Sequence, residues 1–541
     1  MVTSAYLRAA NQPPPLDGYN LFSQDRPLVE ALRRGGAAAR EDECAAFGRL
    51  CGGEPLELGR LANEHPPTLK AFDRFGERID EVEFHPAWHD LLRIGAEHGL
   101  HAFPWADPEP GAHVARAARF ITLSQTEAGV GCPLSMTYSV VPALRADPSL
   151  ASEWEPGLAA RVYEPGLRPP AEKAGLLAGM ALTERQGGSD VRANETRAEP
   201  LADGAYALTG EKWFCSAPMC DVFLVLAYAP GGLTCFVMPR VLPDRARNGF
   251  HIRRLKDKLG NRSNASAEIE LRDAWAARLG PEGRGVATII DMVVHTRLDC
   301  VLGSTALMRR AVAEATHHAA HRAAFGRLLA EQPLHQNVLA DLCLDSEAAT
   351  ATALRLARAV DDGDDVFRRL ATTVAKYWVC KATSPLVAEA LECIGGNGYV
   401  EESALPRLYR ESPLNSLWEG AGNVNALDLL RAAARERESA QALLAEIALA
   451  EGADTRLDTA ADRLRTELVD EDELEYRARG VVELAALCLQ GSLLVRHAPP
   501  AVADAFCATR LGGDGGRAYG TLPRGVDCTA IVERHRPQLD A

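Results

Sequence analysis

The sequence lacks several features that define large classes of protein. No apolar run of the roughly 20 residues that span a bilayer is recognisable, and no basic N-terminal stretch precedes an apolar one. We therefore expect no membrane span, no signal peptide and a cytoplasmic location. The 13 cysteines include no Cys-x-x-Cys pair, which predicts free thiols in a reducing compartment and neither disulfides nor a zinc site.

Basic residues are also in the minority. The sequence has 59 lysines and arginines and 74 aspartates and glutamates, so the formal net charge is −15. This balance argues against a globally basic, phosphate-seeking surface but leaves a local basic patch open. His317, His318 and His321 have the spacing of a metal site on a helix, yet no acidic third ligand is recognisable nearby, so we expect no metal.

Hydrophobic periodicity divides the chain into four regions. Ala, Leu and Arg recur at helical spacing in the first third, short alternating or apolar runs follow, and long helical patterns then return. We predict an α+β fold with a helical N-terminal domain, a middle antiparallel β-barrel or sandwich, a C-terminal four-helix bundle and a helical extension. The predicted boundaries are 1–175, 176–280, 281–436 and 437–541.

A single carboxylate on a glycine-flanked turn is the candidate catalytic group. Residues 417–425 read LWEGAGNVN, with Glu419 directly before Gly420. A carboxylate beside glycine can approach a flat ligand closely, and exclusion of water would raise its pKa toward that of a general base. Taken alone, the same pattern is also that of a solvated turn.

Two motifs in the β region suit a planar, phosphate-bearing ligand. ALTERQGGSD at 181–190 places hydroxyls and paired glycines after an apolar strand, where backbone N–H groups can reach oxygens. GEKWFCSAP follows about twenty residues later, and Trp213 and Phe214 can stack on a ring. Taken singly, each motif also fits a hairpin loop or a buried aromatic pair.

Together with four further motifs, these segments resemble the acyl-CoA dehydrogenase family. Six motifs of the family occur in the family's order. They are A-L-T-E-x-x-x-G-S-D at 181–190, K-W-[FI]-x-[ST] at 212–216, K-x-G-x-R at 258–262, R-x-x-F-G at 322–326, G-G-x-G-[FY] at 395–399 and [YW]-E-G at 418–420. The resemblance implies an α–β–α flavoprotein that binds FAD and an acyl-CoA, and that dehydrogenates the acyl chain at a CH–CH bond.

The resemblance also assigns the cofactor-binding residues. A first set lines the flavin and its pyrophosphate: Met180, Leu182, Thr183, Gly188, Ser189, Phe214, Cys215 and Ser216. A second set completes the pocket: Leu417, Trp418, Gly420, Ala421, Gly422, Asn423 and Leu427. A third set meets the FAD of a neighbouring subunit: Arg322, Phe325, Gly395 and Gly396. The third set implies a homo-oligomer, which the family suggests is a tetramer built as a dimer of dimers.

Glu419 falls on the position of the family's α-proton base. A branch of the family carries its base at the position matching Thr296, where this chain has no carboxylate. Family members usually have Thr after Glu-Gly, whereas this chain has Ala421, which removes a hydroxyl from the site. The resemblance therefore implies Glu419 as catalytic residue, with weak dehydrogenase activity.

Within the family, the chain is similar to the bacterial alkylation-response branch. The shared traits include the arm NQPPPLDGYNLF and an extension of roughly one hundred residues beyond Arg431. That branch binds double-stranded DNA through a basic face, which is opposed here by the acidic run at 470–475. The candidate DNA-binding residues are the arginines of the last fifty residues, Arg496, Arg510, Arg517, Arg524, Arg534 and Arg536.

Three functions compete at this point. The resemblance favours a FAD protein of the DNA alkylation response that binds and protects DNA. The first alternative is a metabolic acyl-CoA dehydrogenase for a short or branched acyl chain, without a DNA role. The second is a flavin-free structural or interaction protein.

Overall fold

The structure is a computed structural model that describes residues 11–539. Its contacts divide the chain into two compact units that do not follow the chain order. The first, here the bundle unit, comprises residues 1–53, 113–125 and 300–541, and the second, the barrel unit, comprises residues 54–112 and 126–299. The four contiguous predicted domains thus differ from the compact units, because two early segments group with the C-terminal half.

The elements alternate between helical and β regions in the predicted order. The helices before the β region are α1 Arg26–Leu32, α2 Glu41–Cys51, α3 Pro55–Glu64, α4 Pro86–Glu97, α5 Phe103–Ala106, α6 Ala112–Thr126, α7 Gly131–Leu144 and α8 Pro148–Leu158. The strands are β1 Thr68–Phe72, β2 Arg78–Glu83, β3 Ala178–Ala181, β4 Arg197–Pro200, β5 Tyr206–Ser216, β6 Val222–Ala229, β7 Gly232–Pro239, β8 Phe250–Leu255, β9 Ser266–Leu279, β10 Ala323–Ala324 and β11 Arg327–Leu328.

The remaining helices build the bundle and its extension. They are α9 Gly285–His321, α10 Pro333–Asp361, α11 Asp365–Ile394, α12 Ala404–Glu411, α13 Gly422–Arg435, α14 Arg437–Ala448, α15 Thr455–Val469, α16 Leu474–His497, α17 Pro500–Phe506 and α18 Cys528–His535. The predicted helical extension is therefore confirmed as α14 to α18.

Seven strands of the barrel unit form one sheet that closes on itself. The ring runs β6–β4–β5–β9–β7 and returns to β6, with β3 added beside β6 and β8 beside β9. Phe223 and Phe250 pack inside at 5.2 Å between ring centroids. Strand β6 is an unbroken apolar run that is buried almost throughout, as expected for a strand covered on both faces. The predicted middle barrel is confirmed.

The sequence predicts an antiparallel sheet, but two of the strand pairs are parallel. β3 pairs with β6 in parallel over Ala178–Ala181, and β4 makes one parallel pair with β6 through Arg197 and Tyr228. Strand direction depends on which segments meet in space, and the alternation of side chains along one strand does not carry that information.

A β-hairpin interrupts the region that was predicted to be helical. β1 and β2 pair antiparallel, and the turn between them is closed by Asp73, whose Oδ1 accepts the N–H groups of Phe75 and Glu77 at 2.8 and 2.9 Å. Gly76 supplies the left-handed backbone, with φ 85°. The strands are half exposed and rich in charge, so they lack the apolar signal of a core strand.

Helix ends in both units follow from local sequence. Asp147 caps α8 by accepting the N–H groups of Ser149 and Leu150, and Pro148 occupies the first helical position. Asp364 caps α11 through the N–H of Phe367. These signals set where the two helices begin.

The long helices of the bundle unit carry its core. α10, α11 and α16 present nearly continuous buried runs of Ala, Leu and Val. Within residues 11–539, α16 alone is long and apolar enough to cross a membrane by length and composition. Because 72% of that apolar window is buried inside the protein, α16 has the character of a core helix.

Candidate functional site

The loop after β3 is built around a close approach of two backbone segments. A Cβ at Gly188 would lie 2.5 Å from the Thr183 hydroxyl, so only glycine fits there without a shift. The Thr183 carbonyl accepts the Trp213 N–H at 2.8 Å, and the Asn194 amide donates to the Leu182 carbonyl at 2.9 Å. Ser189 is exposed at the end of the loop. The loop therefore holds its backbone and hydroxyls in one defined shape.

A buried ion pair stabilises this loop. Lys212 Nζ lies 2.8 Å from Glu184 Oε1, and the two side chains are 0% and 4% exposed. Glu184 also accepts the Thr196 hydroxyl and the backbone N–H groups of Glu195 and Thr196. Burial opposes ionisation of Glu184, but Lys212 and these donors outweigh it and lower its pKa.

Strand β5 presents an aromatic ring beside small polar groups. Phe214 is 53% exposed, and the Lys256 ammonium lies 4.3 Å from its ring centroid. The Ser216 hydroxyl lies 3.3 Å from that of Ser266. The Cys215 thiol is fully buried, and burial raises its pKa to about 12. Of the three predicted neighbours, Phe214 and Ser216 thus reach the surface, whereas the side chain of Cys215 points into the core.

The bundle unit carries Glu419 on a left-handed turn. Glu419 has φ 56° and Gly420 has φ 97°, and the first value is rare for a residue with a side chain. The Gly420 carbonyl accepts hydrogen bonds from Lys376 Nζ and from the Asn425 amide. Two donors on one carbonyl hold the turn in this conformation.

The flanking residues fix the same turn from both sides. The Trp418 indole donates to Asn415 at 2.9 Å, and Asn415 donates to the Ser304 hydroxyl at 3.1 Å. After the turn, Arg479 Nε donates to Asn423 Oδ1 at 2.8 Å. The remaining predicted residues of this set, Leu417, Ala421, Gly422 and Leu427, lie at the surface or half-buried at the start of α13.

The predicted subunit-facing residues also lie in the bundle unit. Phe325 is 98% exposed at the tip of the β10–β11 hairpin, with φ 53°. Arg322 Nη1 donates to the Asn11 carbonyl at 2.6 Å, which ties the N-terminal arm to this hairpin. Gly395 adopts φ 69°, and a Cβ at Gly395 or Gly396 would meet no atom within 4 Å. An exposed aromatic tip and open glycines leave room for a partner or ligand.

The histidine run has an ordinary structural role. His317 Nε2 lies 2.9 Å from the Pro14 carbonyl, and His321 Nδ1 lies 2.8 Å from the His317 carbonyl. Burial lowers the pKa of His318 to about 4. Among residues 11–539, no group of three or more histidine, cysteine or acidic side chains has the geometry of a metal site.

Several of the proposed DNA-binding arginines are engaged in internal ion pairs. Arg510 lies 2.6 Å from Asp341 and 3.0 Å from Asp345, and its side chain is 18% exposed. Arg496 lies 2.6 Å from Glu446. These arginines face carboxylates of the same unit, and their contact with DNA stays a prediction.

The last arginines divide into paired and exposed ones. Arg534 forms ion pairs with Glu30 and Glu347, and its side chain is 11% exposed. Arg536 lies 2.6 Å from Glu533. Arg517 and Arg524 are exposed on the loop between α17 and α18. The spacing of the arginines along the chain could not indicate which of them pair with distant acids.

The residues present fit a flat cofactor that carries phosphates. The glycine-only approach at Gly188 and the half-exposed ring of Phe214, both in the barrel unit, suit FAD. Sequence reasoning missed Lys376, a fully buried lysine in the apolar helical run VAKYWVC. A lone lysine in such a run is the signal that would have marked it.

Comparison with known families covers most of the chain. Residues 11–165 match the family described as "Adaptive response protein AidB N-terminal domain". Residues 179–274 match "Acyl-CoA dehydrogenase, middle domain", and residues 283–446 match "Acyl-CoA dehydrogenase, C-terminal domain".

Individual relatives match most of the chain. The chain is 46% identical to "Putative acyl-CoA dehydrogenase AidB" of Escherichia coli over 513 residues, which are 94% of each protein. It is 33% identical to "Acyl-CoA dehydrogenase family member 11" of Caenorhabditis elegans, over 76% of this chain and 70% of that protein. The C. elegans ACDH-11 structure in complex with C11-CoA has a TM-score of 0.83 at 27% identity, covering 100% of this chain and 96% of that one. The chain therefore belongs to the acyl-CoA dehydrogenase family of FAD-dependent oxidoreductases acting on CH–CH bonds, and within it to the AidB branch.

Proposed function

We propose that the protein dehydrogenates an acyl-CoA between its α and β carbons, with Glu419 as the base. Glu419 takes the α proton, and the electron pair of that C–H bond forms the new double bond. Bound FAD supplies the acceptor for the β hydrogen, which leaves as hydride. The observation that carries the proposal is the held left-handed turn, which fixes a carboxylate beside glycine at the family's base position.

Rigid support of the carboxylate favours a catalytic role over a solvated turn. Positioning of a reacting group contributes to rate only when its geometry is held before the substrate arrives. The Gly420 carbonyl and the Asn423 amide are each engaged by a side chain from another helix, and the Trp418 indole is engaged by Asn415 three residues earlier. A turn with a merely solvated carboxylate needs none of these contacts.

Anaerobic flavin reduction tests the proposal. The FAD-loaded protein is mixed with an acyl-CoA, and bleaching of the oxidised flavin is followed. Glu419→Gln should slow reduction by about 10²- to 10⁴-fold, the range attributed to a general base, without loss of flavin. Glu402→Gln, which changes an exposed carboxylate of the same unit, serves as the matched control. Reduction at the wild-type rate in Glu419→Gln would exclude Glu419 as the base.

The substrate class follows from the relatives. The C. elegans structure is described as a complex with C11-CoA, and this chain aligns with it throughout. We therefore take a medium- to long-chain acyl-CoA as substrate, with weak turnover because Ala421 stands where the family has Thr. Comparison of flavin reduction by butyryl-CoA and undecanoyl-CoA discriminates this from a short-chain enzyme.

A second candidate is protection of DNA in the alkylation response. It is supported by the AidB N-terminal match over residues 11–165 and by the 46% identity that extends through the helical extension. Contact with duplex DNA would then rest on the exposed Arg517 and Arg524. Binding should fall with rising salt, and neutralising both arginines should reduce the slope of log K against log salt by about 2. Binding that is absent or independent of salt excludes this role.

The assembly and the location belong to the same proposal. A homotetramer is supported by the exposed Phe325 and by the open glycines at 395 and 396, which the family resemblance assigns to a neighbouring subunit. Sedimentation should give about four chain masses of 58.3 kDa.

A cytoplasmic location agrees with the 13 cysteines, all of them free thiols within the described residues. Fractionation of cells that express the protein checks it.

A further inference from the structure

A buried ammonium group lies directly beside the turn that carries Glu419. Lys376 belongs to α11, is 1% exposed, and its Nζ donates to the Gly420 carbonyl. The Asn425 amide donates to the same oxygen at 2.5 Å. A lysine is almost never buried unless its charge is used, so its placement one residue from the base needs a reason.

The geometry ties Lys376 to the conformation of Glu419. The Gly420 carbonyl follows two consecutive left-handed residues, with φ 56° and 97°. Rotation of the Gly420–Ala421 peptide would remove the acceptor from a buried ammonium, which is costly. Lys376 therefore stabilises the one turn that presents the Glu419 side chain.

We propose that Lys376 is a positioning residue for the reaction. This inference rests on the proposed function, in which Glu419 is the base. Lys376 holds the Gly420 carbonyl and so orients Glu419 toward the α proton of the substrate.

Two variants separate the hydrogen bond from the charge. Lys376→Gln keeps a donor near the Gly420 carbonyl but removes the charge, and Lys376→Met removes both. Lys70→Met, on the exposed strand β1, is the matched control for loss of one lysine. All are assayed as FAD-loaded protein with undecanoyl-CoA and an artificial electron acceptor, and kcat and KM are measured from pH 5 to pH 9.

The split between kcat and KM is the readout that a purely structural role does not move. Lys376→Met releases the turn that carries the base, so we expect kcat to fall by about tenfold or more with KM and flavin content unchanged. Lys376→Gln should show a smaller fall in kcat, because its amide can still donate to the Gly420 carbonyl.

The outcomes distinguish this inference from the proposed function. If Glu419→Gln reduces its flavin at the wild-type rate, the proposed function fails. If Glu419→Gln is slowed as expected but both Lys376 variants keep the wild-type kcat, the positioning role alone is overturned. Should Lys376→Met fail to fold, Lys376→Gln decides, since it retains a polar group at the buried position.

Discussion

Replacement of Lys212 by Met should destabilise the barrel unit strongly. The ammonium lies 2.8 Å from Glu184 and 2.7 Å from the Leu226 carbonyl, with the lysine side chain 0% exposed. Met fills a similar volume but leaves a buried carboxylate without its counter-charge. Removing one partner of a buried pair costs about 3–5 kcal/mol. Thr196 and the backbone donors to Glu184 remain, so we expect the lower half of that range.

Urea unfolding followed by tryptophan fluorescence measures the change, with flavin release recorded in parallel. Glu184 shapes the loop that carries Thr183, so FAD content should fall together with stability. Arg60→Met provides the control, because its partners Glu57 and Glu64 are exposed and such pairs contribute about 0–1 kcal/mol.

A double variant and the pH dependence sharpen the test. Glu184→Gln with Lys212→Met removes both charges and should recover about 1–3 kcal/mol relative to Lys212→Met alone. In the wild type, the pKa of Glu184 is lowered in the folded state, so its contribution is present above its ordinary pKa and is lost as pH falls through the folded value. A loss below about 1 kcal/mol in Lys212→Met would refute the reasoning, because it would mean that the pair carries no net stability.

Three further outcomes follow from single contacts. Gly188→Ala should lower the ratio of flavin to protein, read from absorbance, because its Cβ would overlap a threonine hydroxyl at 2.5 Å. Arg510→Met should lower the free energy of unfolding by about 3–5 kcal/mol, since two partly buried aspartates lose their cation, and should leave the salt dependence of DNA binding unchanged. Burial alone would lower the pKa of His535, but Cys343 and Glu347 outweigh it and raise the pKa to about 10. The stabilisation of the folded protein by protonated His535 is full below the unfolded-state pKa near 6.5 and is lost as pH rises toward 10. The melting temperature of His535→Gln should therefore depend less on pH across that window than the melting temperature of the wild type.

Much of the fold could be predicted because its signals are local. Apolar runs with β-branched residues predict the strands in VFLVLAYA and LTCFVMP, and the helical period of apolar residues predicts the long bundle helices. The β1–β2 hairpin could not be recognised in the same way, since its strands are half exposed and its register depends on an aspartate turn. The parallel pairing of β3 with β6 joins segments about 44 residues apart, which no local pattern encodes.

The candidate site likewise has parts that local sequence predicts and parts that only the tertiary structure reveals. Glu419, the glycine loop and Phe214 are contiguous motifs, so their order along the chain already indicated a flavin site. The arginines of the extension looked like a basic patch because their partners lie far away in sequence. Arg510 meets Asp341 across 169 residues, and Arg534 meets Glu30 across 504.

By itself, the sequence determined the family, the order of helical and β regions, and the carboxylate that we propose as the base. Those properties reside in spacing and residue type, which are read along the chain. Only the tertiary structure decided that Lys376 holds the turn that carries Glu419, that Lys212 is paired under the loop, and that most of the late arginines face acids. The reason is physical: the effect of a charge depends on its distance to other charges and on its burial, and folding sets both.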